Sequence, residues 1–370
     1  MKIGCPTEIK SQEFRVGVTP NAAMEAVARG HEVLVQSGAG IGAGFTDDDY
    51  TAAGAKILGS AKEVFDAADM IVKVKEPQAG ERKMLREGQI LFTFLHLAPD
   101  PDQTHDLIAS GATCIAYETV TDGKGGLPLL APMSEVAGRL APQTGSWALQ
   151  KANGGSGVLM GGVPGVRPAN VAIIGGGVVG AAAARVAVGM GANVTVLDRS
   201  VPRLSYLDDV FMGRLTTQYS DKGAVEELLP RMDMVVGAVL IPGAAAPKLV
   251  SREQLSLMKP GSVLVDVAID QGGCFETSKA TTHQDPIYEV DGIVHYCVAN
   301  MPGAVARTST IALGNATMPH MLALADKGWK KACADDPHLL AGLNVHAGQL
   351  TYEAVGEALG IDWVKPESLL

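Results

Sequence analysis

Residues 171–198 read VAIIGGGVVGAAAARVAVGMGANVTVLD. The short apolar run Val171 to Ile174 leads directly into Gly175-Gly176-Gly177-Val178-Val179-Gly180, and an Ala-rich helical stretch begins inside that GxGxxG pattern. A second apolar run, Asn193 to Leu197, follows and ends at Asp198. In a strand–turn–helix of this kind Gly175 allows the tight turn. Gly177 lets the backbone approach a pyrophosphate, and Gly180 lets helix and strand pack closely. The anion then meets the unpaired N–H groups of a helix N-terminus. An acidic residue at the end of the second strand accepts hydrogen bonds from ribose hydroxyls and repels a 2′-phosphate. Asp198 therefore favours NAD over NADP. Arg199 weakens that preference slightly, and Arg203 is placed to lie over the adenine or its ribose. FAD is the alternative occupant of the same pattern. A Gly-rich turn that merely joins a buried strand to a helix is the bland reading, and the full strand–helix–strand–acid series outweighs it. No GxxxxGK[ST] stretch offers a P-loop.

Composition agrees with an α/β enzyme of small residues and tight turns. At about 150 residues per domain, 370 residues make one or two large domains or three small ones. Charged residues are only 19% and hydrophobic ones 47%, which excludes general disorder. The formal charge of -10 argues against a dedicated nucleic-acid or anionic-membrane binder. The five cysteines include no CxxC spacing and are odd in number, which fits neither a disulfide scaffold nor a Cys-based zinc site; no metal is expected. The N-terminus MKIGCPTEIK turns polar too soon for a signal peptide. The most apolar stretches carry a Gly cluster and an Arg and read as strand and helix. A cytoplasmic protein without membrane association is the expectation.

Short apolar runs alternate with periodic Ala-bearing segments along the whole chain. Glu32 to Gln36, Asp69 to Val74, Ile90 to Leu95 and Thr113 to Tyr117 read as strands, with helices opening near Pro20, Asp47 and Asp102. ILFTFL is almost wholly apolar, as in a strand buried on both faces. Glu135 to Gln150 reads as a long connecting helix, followed by the Gly-dense loop KANGGSGVLMGGVPGV. A second series of strands runs from Val171 to His295, and a helical tail is expected beyond residue 303. The simplest architecture is two α/β domains, with a Rossmann-type nucleotide-binding domain inserted in a second α/β domain. Residues 1–135 plus 305–370 would form the substrate domain and 136–304 the NAD-binding one. The two halves share no obvious sequence repeat.

A nicotinamide supplies hydride chemistry but neither proton handling nor a substrate anchor. Arg15, in QEFRVGVTP, and Lys75, between MIVKV and Pro77, are cations of the kind that grip a carboxylate, the first by its fork and the second as a point charge. His96 directly follows ILFTFL and is an acid/base candidate. Asp270, in DVAIDQGG, sits beyond the carboxyl end of a strand, where ligands of open α/β sheets lie. It can meet a substrate ammonium or orient water. The alternatives are solvated surface cations for Arg15 and Lys75 and a satisfied structural histidine for His96. Asp266, within the strand, is as well read as structural.

Several stretches together carry a more specific signal. GCPTEIKSQEFRVGVTP, VKVKEP, ILFTFLHLA, AYETV, PLLAPMSEVAGRLA, GVLMGGVPGV, DVAIDQGGCFE and YCVANMPGAV resemble the alanine dehydrogenase family of the bacterial type, over essentially the full length. The wider family includes the nucleotide-binding α subunit of proton-translocating transhydrogenase and the saccharopine dehydrogenases. The resemblance implies NAD-dependent, reversible oxidative deamination of L-alanine to pyruvate and ammonium. It implies Arg15 and Lys75 on the substrate carboxylate, His96 as acid/base group and Asp270 as second catalytic residue. For the cofactor it implies Ser134 at the phosphates, Asp198 at a ribose and Arg203 on the adenosine side. Val239, Ile269, Asn300 and Met301 would line the nicotinamide side, and the assembly would be a homohexamer. Gly176 is a minor departure, since many relatives carry Ala there. Two rival readings remain. An NAD-binding transhydrogenase subunit or a non-catalytic sensor would need neither carboxylate anchor nor His96. A dehydrogenase for lysine-like secondary amines would want further charged groups deeper in the pocket.

Overall fold

The computed structural model describes residues 1–239 and 246–370. Its described strands, in chain order, begin with β1 (Lys2–Cys5), β2 (Glu32–Gln36), β3 (Lys56–Leu58), β4 (Met70–Val72), β5 (Ile90–Thr93) and β6 (Thr113–Ala116). They continue with β7 (Asn170–Ile174), β8 (Asn193–Asp198), β9 (Thr216–Tyr219), β10 (Met234–Gly237), β11 (Val263–Asp266), β12 (Ile287–Val290) and β13 (Ile293–Tyr296). β14 (Leu343–His346) and β15 (Gln349–Leu350) close the series. Contacts divide the chain into two compact units, Met1–Met133 with Val305–Leu370, and Ser134–Ala304.

The sheet of the first unit has the order β15-β14-β6-β5-β4-β1-β2-β3, and that of the second β12-β13-β11-β10-β7-β8-β9. From β3 to β6 and from β9 to β13 neighbouring strands are parallel; antiparallel strands are added only beyond β6 and beyond β13. Numbered within each unit, the parallel strands run 3-2-1-4-5-6 in both. That is the doubly wound order, in which ligands bind beyond the carboxyl ends of the two strands where the order reverses. The reversal falls between β1 and β4 in one unit and between β7 and β10 in the other. The shared order is invisible in the sequence, where the halves show no repeat.

Both faces of the second sheet are covered, which is why its strands read as apolar runs. Val171 and Ile173 belong to one core cluster, Ala172 and Ile174 to the cluster on the other side. In the first unit, Ile71, Leu91, Cys114 and Val345 from four neighbouring strands pack into one core. The connecting helix spans Ala131–Ala148, so it starts before the expected Glu135; Pro132 is tolerated in a first helical turn, where its missing N–H has no intrahelical partner. The tail is not wholly helical. After the helix Ala306–Asp335, which breaks at Gly328, β14 and β15 form a hairpin whose turn residues Ala347 and Gly348 both have positive φ. Strands of four and two residues are too short for periodicity to reveal. Among the described residues no helix is long and apolar enough to cross a membrane.

The glycine loop divides its tasks among three positions. Gly175 has φ of 106°, and a Cβ there would lie 2.6 Å from the Ala238 carbonyl oxygen. A Cβ on Gly180 would lie 1.7 Å from the Gly175 carbonyl oxygen, so the helix Val178–Gly189 sits on the turn only because Gly180 has no side chain. Around Gly177 a Cβ would meet nothing within 4 Å. Gly180→Ala is therefore expected to destabilise the protein by at least about 1–3 kcal/mol, the cost of overpacking. Gly177→Ala should cost no more than about 1 kcal/mol, the N-cap preference for glycine over alanine, yet weaken NADH binding, because its new methyl enters the space a phosphate would use. Urea unfolding and NADH titration of both variants check this; equal stability losses would contradict the division of roles.

Candidate functional site

At the reversal point of the first unit, the segments after β1 and β4 are joined through a buried charge cluster. Lys73, fully buried, donates to Glu8 Oε2 at 3.0 Å and to Glu81 Oε1 at 2.7 Å. Burial opposes the Lys73 charge, but the two carboxylates outweigh it and raise its pKa above the ordinary lysine value. The other Glu8 oxygen accepts the Val74 N–H at 2.6 Å and the Lys75 N–H at 3.4 Å. Thr93 Oγ1 donates to the Lys75 carbonyl at 3.0 Å. Lys75 is half-buried, and its main chain is thus held from two sides.

Arg15 is no solvated surface cation. Its side chain is 2% exposed, and its Nε and Nη2 donate to the two oxygens of Glu13 at 2.7 and 2.6 Å. Glu13 also accepts the Arg15 N–H at 3.0 Å, and Arg15 Nη1 lies 3.0 Å from the Met133 sulfur. The guanidinium plane is therefore fixed before any ligand arrives.

His96 follows β5 and the buried Phe94 and Leu95, yet its own side chain is 45% exposed. It has φ of 49°, in the left-handed region that non-glycine residues seldom adopt. Its ring stacks on Phe94 with centroids 5.7 Å apart. His295 supplies the contrast. It is wholly buried, with one ring nitrogen 2.7 Å from Thr277 Oγ1 and the other 2.9 Å from the Ile293 carbonyl, and burial lowers its pKa. His295 is the satisfied core histidine that His96 is not. No thiol offers an alternative nucleophile: all five are buried, and burial pushes Cys5, Cys114, Cys274 and Cys333 up to about 12 and Cys297 to about 11.

In the second unit the reversal point carries the glycine loop. Asp198 Oδ2 accepts the Gly176 N–H and Oδ1 the Ser200 N–H, each at 2.7 Å. Arg203 donates to the Gly176 carbonyl at 2.5 Å and to the Gly177 carbonyl at 3.2 Å, and its guanidinium lies over the Tyr206 ring. Asp198 and Arg203 thus brace the loop itself, a duty the sequence does not reveal. Gly177 caps the helix Val178–Gly189 without a side-chain bond, which leaves the first helical N–H groups to a ligand. The open space at Gly177, those N–H groups and the fixed Asp198 carboxylate fit a dinucleotide.

At the end of β11, Asp266 is fully buried and accepts the Cys274 N–H at 2.7 Å, the Ala268 N–H at 3.1 Å and the Phe275 N–H at 3.2 Å, with Ser278 Oγ at 2.5 Å. Burial raises its pKa despite these bonds. The loop it closes carries the short turn Ile269–Gln271, where Ile269 is buried and Asp270 exposed. Val239 follows β10, and its carbonyl lies 3.5 Å from Cys274 Sγ. Asn300, with φ of 64°, offers its carbonyl to His283 Nε2 at 3.1 Å and precedes the buried Met301. Ser134 lies half-buried in the first turns of the connecting helix. Arg15, Lys75 and His96 belong to the first unit, the remaining expected site residues to the second. Glu8, Glu13 and Glu118 went unnoticed as site-builders in the sequence, although GCPTEIK, QEFRV and AYETV contain them; no local pattern separates a carboxylate that accepts peptide N–H groups from a surface one.

Two family models match, "Alanine dehydrogenase/PNT, N-terminal domain" over residues 4–137 and "Alanine dehydrogenase/PNT, C-terminal domain" over residues 141–353. An alanine dehydrogenase of Halomonas elongata is 63% identical over 370 residues, covering 100% of both chains. A solved L-alanine dehydrogenase superposes with a TM-score of 0.94 at 50% identity, over 97% of this chain and 99% of its own. A transhydrogenase from Sinorhizobium meliloti shares the fold, with a TM-score of 0.81 at 24% identity over 96% of this chain and 100% of its own.

If Lys75 and Arg15 anchor an oxo-acid carboxylate, Lys75→Ala should weaken pyruvate binding to the NADH complex by at least tenfold, or about 1.4 kcal/mol. NADH binding itself should be unchanged, since the glycine loop lies in the other unit. Arg15→Ala should do the same and also lower the melting temperature, because it strips the counter-charge from the buried Glu13 carboxylate, a loss of about 3–5 kcal/mol. Fluorescence titration and thermal melts check both; undiminished pyruvate affinity in Lys75→Ala would remove it from the site.

Proposed function

The chain belongs to the alanine dehydrogenase/PNT family, and from that premise we infer that it is an NAD-dependent L-alanine dehydrogenase. It converts L-alanine, NAD⁺ and water reversibly to pyruvate, ammonium, NADH and a proton. The observation that carries this reading within the family is His96. It is a half-exposed imidazole on a pinned, left-handed peptide beside the held Lys75 segment. A subunit that only binds NAD has no use for such a group. The full-length identity of 63% to an alanine dehydrogenase supports the same choice, whereas the transhydrogenase likeness extends to the fold alone.

The glycine loop, Asp198, Arg203 and Ser134 would hold the cofactor, which supplies a hydride acceptor when bound. Val239, Ile269, Asn300 and Met301 would lie on its nicotinamide side. Arg15 and Lys75 hold the substrate carboxylate, the guanidinium through its fork and the ammonium as a point charge. Glu13 keeps the guanidinium from turning, so the Cα–H bond is oriented at little entropic cost. Once the α-ammonium has given one proton to solvent, loss of hydride leaves an iminium, whose carbon is open to water. His96 takes the proton of that water and returns it to nitrogen; the carbinolamine then expels ammonia, which leaves as ammonium with the hydroxyl proton as the carbonyl forms. Asp270, exposed on its turn, faces the positive charge on nitrogen and helps place the water. The protein acts in the cytoplasm as a homo-oligomer, a hexamer, without nucleic acid or membrane.

His96→Ala should lose at least about 100-fold in kcat, the lower end of what a positioned proton-transfer group contributes. The loss should fall on kcat, since the carboxylate anchors remain. With its side chain 45% exposed, His96 adds little to stability, so the melting temperature should hold. Steady-state kinetics beside thermal melts separates the readings. A lowered melting temperature with near-normal turnover would make His96 structural and leave the proton step unassigned.

A further inference from the structure

We propose that Glu118 is a positioning residue for His96, holding the imidazole in place by clamping its peptide. The proposal rests on the acid/base reading of His96. Glu118 sits in the turn Tyr117–Thr119 that ends β6, with its side chain 14% exposed. Its Oε1 accepts the His96 N–H at 2.6 Å, and both oxygens lie 3.2 Å from the Leu95 nitrogen. Two successive peptide N–H groups thus converge on one carboxylate, at the residue whose φ is 49°. Left-handed backbone at a histidine persists only where surrounding structure overdetermines it, and a charge-assisted bond is the stronger kind. His96 Nδ1 lies 3.8 Å from the same Oε1, too far for a good hydrogen bond. The hold is therefore on the main chain, and the ring remains available to a substrate.

The clamp is itself rigid. Tyr117, wholly buried, donates its hydroxyl to the Lys73 carbonyl at 2.9 Å. Its ring meets Phe92 and Phe94 edge-on at 4.5 and 5.1 Å. On the other side of Glu118, Asn344 Nδ2 donates to Thr119 Oγ1 at 2.7 Å. Phe94, touched by Tyr117, is also the ring on which His96 stacks. One turn thus sets both the His96 peptide, through Glu118, and the plane of its imidazole, through Tyr117 and Phe94. The same Tyr117 hydroxyl ties this turn to the strand end that carries Lys75.

The test compares Glu118→Ala, Glu118→Gln, His96→Ala and the double variant His96→Ala/Glu118→Ala in the full-length enzyme. A misplaced catalytic group costs up to about 100-fold. Glu118→Ala should therefore lower kcat about 10- to 100-fold, with the alanine KM and the NADH dissociation constant within about twofold. Glu118→Gln keeps an acceptor oxygen for the His96 N–H and should recover most of that loss. If the alanine variant does not fold, the glutamine variant carries the test with a smaller but same-signed fall in kcat. Because Glu118 acts through His96, the double variant should turn over no more slowly than His96→Ala alone. A Glu118→Ala enzyme with parental kcat, or a double variant tenfold slower than His96→Ala, would overturn the proposal. Near-normal turnover in His96→Ala would instead refute the acid/base reading, and any loss in Glu118→Ala would then belong to another role.

Discussion

Where a parallel strand ends and the chain turns away, the next peptide N–H groups lose their ladder partners. A buried N–H left unbonded costs free energy comparable to a lost hydrogen bond. Here that need is met by carboxylates at the loops that carry the candidate site. Glu8 takes the Val74 N–H ahead of Lys75, Glu118 takes those of Leu95 and His96, Asp198 takes that of Gly176, and Asp266 takes three from the loop of Asp270. Bonds of this kind are shorter and about twice as strong as neutral ones. They position loop residues as firmly as strand residues, which a hydride and proton transfer requires.

The cost is charge in the interior. Lys73 offsets it at Glu8 and Glu81, and Arg15 at Glu13. Replacing such pairs by apolar residues is often neutral or stabilising, so their retention beside Lys75 and Arg15 is better understood as orientation than as stability. Asp266 follows another route, with four donors from its own loop and no cation among its hydrogen-bond partners. Both units use the same strand order and place these carboxylates at or beyond the same ends of their sheets.

Much of this was legible in the sequence because its physics is local. The βαβ unit from Val171 to Asp198 needs a glycine at each crowded point and an acid at one strand end, and both show as pattern. ILFTFL shows as a buried strand because both of its faces meet apolar neighbours. β3, β9, β12 and β15 escape the pattern because they are edge strands of two to four residues with mixed exposure, and β1 and β14 because four residues with one polar end show no period. The pairing of Arg15 with Glu13 lies two residues away in QEFRV but depends on burial, which the string does not carry. Glu118 lies 22 residues from His96, and only the parallel pairing of β5 with β6 brings it there. Lys73 lies two residues from Lys75 in VKVKEP. One belongs to the core and the other to the candidate site, and a sequence offers no means of ranking them.

Alanine oxidation rests here on direct hydride transfer from the α-carbon, with proton handling kept on the protein side. L-Alanine deuterated at Cα, incubated with NAD⁺ and the enzyme in ordinary water, measures this. Direct hydride transfer puts one deuterium at C4 of the NADH formed, on one face of the ring, with none released to solvent. NADH without deuterium, its label recovered in water, would show that the α-hydrogen leaves as a proton and would contradict the account.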